Sequence, residues 1–508
     1  MTTPYNSLTT PPTPHVPASP SDLRGSLVST APGSPPLSSS DGSMTDSLAT
    51  LAPVQHQQPE YDNGSSSAHP TTHHAPYAYE KRPRGVLAYL AYAALHTPPS
   101  FFAINMGTGI VSILLHNFPY PARWLQYLGT IVFVLNVVIF VALFSATIAR
   151  YCIWSGVFMI TAKHNLNSMF WGTFPMGFVT IVNMIAIVCV PAWGSKWASL
   201  ALGLWWIDIA VAVLVNFGTV FLLFTKQHQT ELSVSPAWLL PVVSTVVAAA
   251  SGSIVAQSLM PFNPNLARAT LLASYVIWGT GVPLAFMVIT IVVYRMALHG
   301  PPPHTLLASV FLPLGPCAQG AFGIVNMGVT ARQLAYEHST PIIPGMALEA
   351  SLHIADAMYA GGIVAGLILW GLALLWYTLG IALFLDGWRK DWSLLGTGKF
   401  TVGYWSLTFP IGVFSTASLA LGTELQSTAF KVIAAFLAVQ VVLHWIFVSV
   451  GTLWTFRDGT LFSSQKFETE DAPHIGQRWH REDWPKTHTS DIEARPGKQA
   501  TEVACEIP

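Results

Sequence analysis

Residues Pro99 to Tyr120 read PSFFAINMGTGIVSILLHNFPY, and the chain around them repeats their plan. The run is long enough to cross a bilayer, since about 20 residues of helix span the hydrocarbon core. It also holds Asn105, Gly107, Thr108, Gly109 and Ser112, small and polar residues that a lipid-facing helix would not choose. Small residues inside a span either let a neighbouring helix approach or leave room beside the backbone. The second choice describes a helix that lines a pore.

Later apolar segments carry a related signature at a similar depth: Phe174-Pro175-Met176-Gly177, Leu240-Pro241, Leu312-Pro313-Leu314-Gly315 and Phe409-Pro410-Ile411-Gly412. Proline removes a backbone donor and clashes with the preceding turn, so a kink is expected in each of these spans. Gly109 aligns with Gly177, Gly315 and Gly412. Bulky, apolar segments alternate with them, as in Trp124 to Ile148, which reads as outer-ring packing. The expected fold is an all-α integral membrane protein of about ten transmembrane helices, arranged as five helical hairpins around a central pore. The expected division is a cytoplasmic N-terminal tail over 1–84, a transporter domain over 85–456 and a cytoplasmic C-terminal tail over 457–508.

Composition excludes most alternatives. Of 508 residues, 52% are hydrophobic and 9% charged, far below the charge of a soluble chain. A formal net charge of −1 makes no case for nucleic acid. Cys152, Cys189, Cys317 and Cys505 are scattered, with neither a disulfide framework nor metal spacing. No cofactor motif is present, and Gly107-Thr108-Gly109 is not a nucleotide loop, because no strand precedes it. The N-terminal tail is rich in Pro, Ser, Thr and His and too poor in apolar residues to fold. Its His69, His73 and His74 read as solvated residues before metal ligands.

Loop charge sets the orientation. Lys81, Arg82, Arg84, Arg150, Lys163, Lys226, Arg295, Arg389, Lys390, Lys399 and Arg457 fall on one side of the alternating spans. The other side holds Arg123, Lys196, Arg268, Arg332 and Lys431, one for each loop. The positive-inside rule places both termini in the cytoplasm. The five outer residues are either a ring of positive potential at the outer mouth or ordinary loop solvation.

If the odd-numbered helices surround a channel, its wall is Gly, Ser, Thr, Ala and a few aromatics, with no basic residue at mid-span. Such a wall attracts anions through backbone dipoles and binds them weakly enough to release them. Asn105, Thr108, Asn183 and Asn326 are candidate polar groups of the lumen, with Gly107, Gly109, Pro241, Gly315, Pro410 and Gly412 beside them. Phe409, and second to it Phe174, is either the constriction or filler for the gap left by a bend. His116 is a pH sensor or an interface histidine. Asp208, the most deeply placed acid, is a site of proton coupling or a neutral or paired group that fixes two helices. Separate elements carry Asp208, His353, Asp356, Glu424 and His444, which argues against an enzyme.

The motif of the first span, the Phe-Pro-x-Gly pieces and LPLGPCAQGAFGIVNMG resemble the tellurite-resistance/dicarboxylate transporter family, and within it the fungal sulfite efflux branch. The resemblance covers about Arg84 to Phe456 and neither tail. It implies ten helices in five hairpins, odd helices lining the pore, and occlusion by a ninth-helix Phe, here Phe409. It further implies a multi-pass plasma-membrane transporter, not an enzyme, that exports sulfite or hydrogen sulfite. A malate permease of the same fold is the rival. Bacterial members are trimers, but no interface is legible here, so the sequence leaves a homo-oligomer open, as it does passive against proton-coupled transport.

Overall fold

The computed structural model describes residues 86–302, 304–390 and 400–458. The expectations for the two tails lie outside these residues, apart from Arg457 and Asp458 at the end of the last helix. Ten helices are long and apolar enough to cross a membrane. They are α1 (Pro99–His116), α2 (Arg123–Ile153), α3 (Asn167–Trp193), α4 (Ser195–Thr225), α5 (Pro236–Leu259), α6 (Pro264–His299), α7 (Leu307–Tyr336), α8 (Leu348–Gly387), α9 (Val402–Glu424) and α10 (Thr428–Arg457). In hydrocarbon a helix satisfies every backbone group internally, which is why runs of this composition take no other form.

Burial separates the two kinds of helix. The odd spans bury 72–94% of their most apolar window inside the protein, the even spans 17–28%. Leu214, Phe221, Phe436 and Leu443 on α4 and α10 lie open, an apolar surface of the kind that faces a membrane. Each even helix packs on the odd helix before it, giving five hairpins. The odd helices contact one another in the cyclic order α1, α3, α5, α7, α9 and back to α1. A closed inner ring is therefore sheathed by an outer one. A short helix, Val86–Leu95, packs beside α2 ahead of the ring.

The prolines act differently from the expected mid-span kinks. The α-helical parts of α3, α5, α7 and α9 begin at Thr173, Leu239, Leu314 and Thr408, so Pro175, Pro241 and Pro410 each stand third in an α-helix, while Pro313 is the N-cap of its helix and Pro316 stands third there. A 3-10 segment precedes every inner helix, beginning with Pro99–Phe101. In a first turn the missing N–H of proline has no intrahelical partner to lose, so the ring is tolerated. Proline thus marks where 3-10 winding gives way to α. The loop after α7 ends at the start of α8, which runs unbroken from Leu348.

Small and polar residues bring the inner helices together. Asn105 Nδ2 donates to Asn136 Oδ1 at 2.7 Å, and Asn136 Nδ2 to Thr180 Oγ1 at 3.1 Å, tying α1, α2 and α3. A Cβ at Gly109 would run into Thr180 and Asn136, and one at Gly177 into Asn105. Gly412 abuts Ile110, and Gly107 abuts Trp405 and Thr408. Close backbone approach plus shared hydrogen bonds is how helices associate where no hydrophobic force separates them from lipid.

Candidate conduit along the inner ring

All five inner helices meet at one small cavity. Its walls are Met106 of α1, Met176 of α3, Leu239, Leu240 and Val243 of α5, Leu312 and Gly315 of α7, and Phe409 and Pro410 of α9. The free space is about 10 Å³, roughly the room of one water. Every lining side chain is apolar, and Phe409 is only 3% exposed. The packing against Gly315 stops short: a Cβ built there would meet nothing within 4 Å. The lining residues fall in the first half of each inner helix, toward the end of the bundle that carries Val86 and Asp458.

Helical geometry carries the same faces toward the far end. Seven residues on, two turns and about 10 Å along the axis, Met106 leads to Ile113, Met176 to Asn183, Val243 to Ala250, Gly315 to Phe322 and Phe409 to Thr416. Beyond that level Ile187, Ile254, Asn326 and Ala420 are partly open, whereas the constriction is closed. Gln257 on α5 donates to Asn326 Oδ1 and Thr330 Oγ1, each at 3.1 Å, and Asn326 donates to Ser253 Oγ at 2.7 Å.

The expected lumen residues divide. Phe409, Pro410 and Gly315 line the cavity, and Asn183 stands on the same face further along. Asn326 lies on the α5–α7 seam at the edge of the wider part. The others do not face the axis. Asn105 and Gly109 belong to the α1–α2–α3 clamp, and Gly107 and Gly412 to the α1–α9 contact. Thr108 accepts from Trp445 Nε1 of α10 at 3.2 Å. Pro241 lies with its backbone against Gly172 while its neighbours Leu240 and Val243 line the cavity. Phe174 stacks on Phe140, Phe144 and Phe178, toward α2, and does not line this cavity. These corrections share one cause. A residue small enough to border a pore is also small enough to admit a neighbouring helix, and the nearest helix took the space.

His116 packs its backbone and Cβ on Gly129 inside the α1–α2 hairpin, away from the lumen face of α1. Asp208 is 1% exposed on α4, with no hydrogen-bond partner for either carboxylate oxygen. Its helix face meets α5, where Trp205 Nε1 donates to the carbonyl of Ala248 and Asn216 Nδ2 to Thr245 Oγ1. Asp208 is thus in an outer seam and not on the conduit. The five far-side basic residues are not an even ring. Arg332 faces Asp356 at 3.6 Å and lies 4.8 Å from the Tyr359 ring, whose hydroxyl donates to Glu424. Arg268 donates to the carbonyl of Pro341. Arg123 and Lys196 are exposed and Lys431 half-buried. Asp356 also accepts from the Tyr336 hydroxyl. Among the described residues no three His, Cys, Asp or Glu side chains group as metal ligands.

Met106, Met176 and Gln319 were not singled out from sequence. Their signal is the spacing of single faces: Gln319 lies one turn beyond Gly315.

A closed ring of five spans, sheathed by five more and meeting at an uncharged constriction, defines the architecture of a channel-like membrane transporter. The family described as SLAC1, voltage-dependent anion channel, matches residues 96–453, and the chain belongs to it. It is 40% identical over 375 residues to a protein of Arthroderma benhamiae named sulfite efflux pump SSU1, covering 74% of this chain and 94% of that one. The protein of the same name in Saccharomyces cerevisiae is 26% identical over 72% of this chain and 89% of its own length. The malic acid transport protein of Schizosaccharomyces pombe is 24% identical over 69% and 76%.

Proposed function

We propose that this chain exports sulfite or hydrogen sulfite across the plasma membrane, with both termini in the cytoplasm, and that the ions pass along the inner ring where Phe409 closes it. The observation that supports the route is the junction itself: one aromatic ring and four other walls, without a charge, at a level where all five inner helices line one cavity. An apolar neck holds ions back by refusing to solvate them and passes them once it widens. The substrate is supported by the similarity to the sulfite efflux pump over nearly all of that protein's length. Wall chemistry agrees with a small anion, since no Lys or Arg stands at mid-span on an inner helix. A dianion, whether a dicarboxylate or sulfite itself, would find no counter-charge there, so the wall favours the singly charged hydrogen sulfite.

The test is sulfite tolerance and sulfite efflux in cells that lack their own exporter, with and without this chain. Faster efflux is expected, with malate in excess leaving it unaffected. No gain at normal surface expression would overturn the reading. Block by malate would move it to the dicarboxylate permease.

A further inference from the structure

On the far side of the constriction two buried carboxamides stand without partners. Asn183 on α3 is 6% exposed and Gln319 on α7 is 5% exposed. No hydrogen bond of the protein engages either side chain, and Asn183 Oδ1 is fully enclosed. By contrast, Gln257 and Asn326 further out are bonded to each other and to their helices. Asn183 shares a helix face with Met176 and Gln319 with Gly315, both walls of the cavity. In the ring, α3 and α7 are separated by α5 on one side and by α1 and α9 on the other. The two amides therefore approach the axis from different walls. Just past Asn183 the helix widens into a π turn, Ile185–Cys189, a local form that recurs at functional sites.

Asn183 Oδ1 is a buried acceptor left unpaired, which is costly, and the unpaired amide groups of Gln319 and of Asn183 Nδ2 keep accessible surface, so both side chains suit an occupant. We propose that Asn183 and Gln319 form a binding waypoint for a singly charged, protonated oxyanion, a proposal that rests on the conduit reading above. Each carboxamide offers two N–H donors and one carbonyl acceptor. The oxygens of hydrogen sulfite accept from the N–H groups, and its O–H donates to a carbonyl. A halide takes the donors and leaves both carbonyls unpaired, and a site built to hydrogen-bond its ligand rejects an analogue that lacks the group. A dianion gains no formal counter-charge. Neutral donors hold the ion loosely, as a transit site requires.

The experiment measures sulfite, hydrogencarbonate and chloride flux in proteoliposomes holding the full chain, for the wild type, Asn183→Leu, Gln319→Met and Asn183→Ser. Loss of one amide should lower the sulfite-to-chloride ratio about tenfold, the worth of one or two hydrogen bonds. Asn183→Ser keeps a donor and an acceptor and should fall between wild type and Asn183→Leu. A ratio within twofold of wild type in both apolar variants overturns the waypoint while leaving sulfite transport intact. So does an equal loss of all three fluxes, which marks a structural role. If the wild type moves chloride but no sulfite, the substrate reading falls alone, and the hydrogencarbonate-to-chloride ratio decides the waypoint by the same criterion.

Discussion

Phe409 and Gly315 line the same cavity from neighbouring inner helices, and they make opposite predictions. Phe409 is almost wholly buried by the side chains of the other inner helices. Truncation to alanine removes the ring that closes the neck. Phe409→Ala should raise anion conductance severalfold at equal surface expression, measured as chloride current. It should also lower the melting temperature, because a large-to-small core change costs about 3–5 kcal/mol when the site does not collapse. Gly315 has empty space where a Cβ would go. A larger side chain there fills the cavity without meeting a neighbour first. Gly315→Leu in the Phe409→Ala background should return conductance toward the closed level, and a double variant as leaky as the single one would place the barrier elsewhere. The residues put Phe409 ahead of Phe174 but left each as constriction or filler, since the same Phe-Pro pairing occurs at both, and only the likeness to a known family singled out the ring at 409. What separates the two is rotation: Phe174 turns to a stack of rings on α2, and Phe409 turns to the axis. No pattern in one helix states which neighbour it will face.

Helix by helix, the alternation of small-residue and bulky spans was readable, because lipid and protein select opposite compositions. Ten spans and their hairpin order followed from length and hydropathy. The roles of single small residues did not follow. Asn105, Gly107, Thr108 and Gly109 lie in one turn and a half, yet Asn105 and Gly109 meet α2 and α3, Gly107 meets α9 and Thr108 meets α10, a division their shared chemistry cannot announce. The α1–α2–α3 clamp gives this a test. Gly109→Ala would force a methyl into Thr180 and Asn136, and overpacking of this kind costs about 1–3 kcal/mol. Asn136→Leu removes the acceptor of Asn105 and the donor to Thr180, at about 0.6–2 kcal/mol for interhelical bonds in membranes. Both variants should unfold at lower temperature in detergent with anion selectivity unchanged among surviving protein. A selectivity change with no loss of stability would return Asn105 to the lumen. The prolines carry the same lesson. Hydropathy finds a span but not the residue where 3-10 winding passes into α, so a first-turn proline reads as a mid-span kink.

At the scale of the whole molecule, the even number of spans puts Val86 and Asp458 on one side, and basic residues outnumber acidic ones there. Arg150, Lys163, Lys226, Arg295, Arg389, Lys390 and Arg457 stand against Glu231, Asp386 and Asp458 among the described residues of that side. The far side sets Arg123, Lys196, Arg268, Arg332 and Lys431 against Glu337, Glu349, Asp356 and Glu424. Positively charged loops resist translocation, so the first side should be cytoplasmic. For an exporter this orientation matters, because the constriction then lies nearer the cytoplasm and the wider, amide-bearing part opens outward. An ion leaving the cell would cross the dry neck first and meet hydrogen-bonding groups only afterwards. Cysteine labelling tests the orientation without depending on transport. Of the described cysteines, Cys152 is exposed and Cys189 and Cys317 are buried, so a background with Cys152 and Cys505 changed to serine should be silent to an impermeant maleimide. In that background Asn263→Cys, in the turn between α5 and α6, should label on intact cells. Lys226→Cys, at the opposite end of α4, should label only after the membrane is opened. The reverse pattern would invert the chain in the membrane and put the amides on the cytoplasmic side of the neck, where they would serve capture of the ion instead of its discharge.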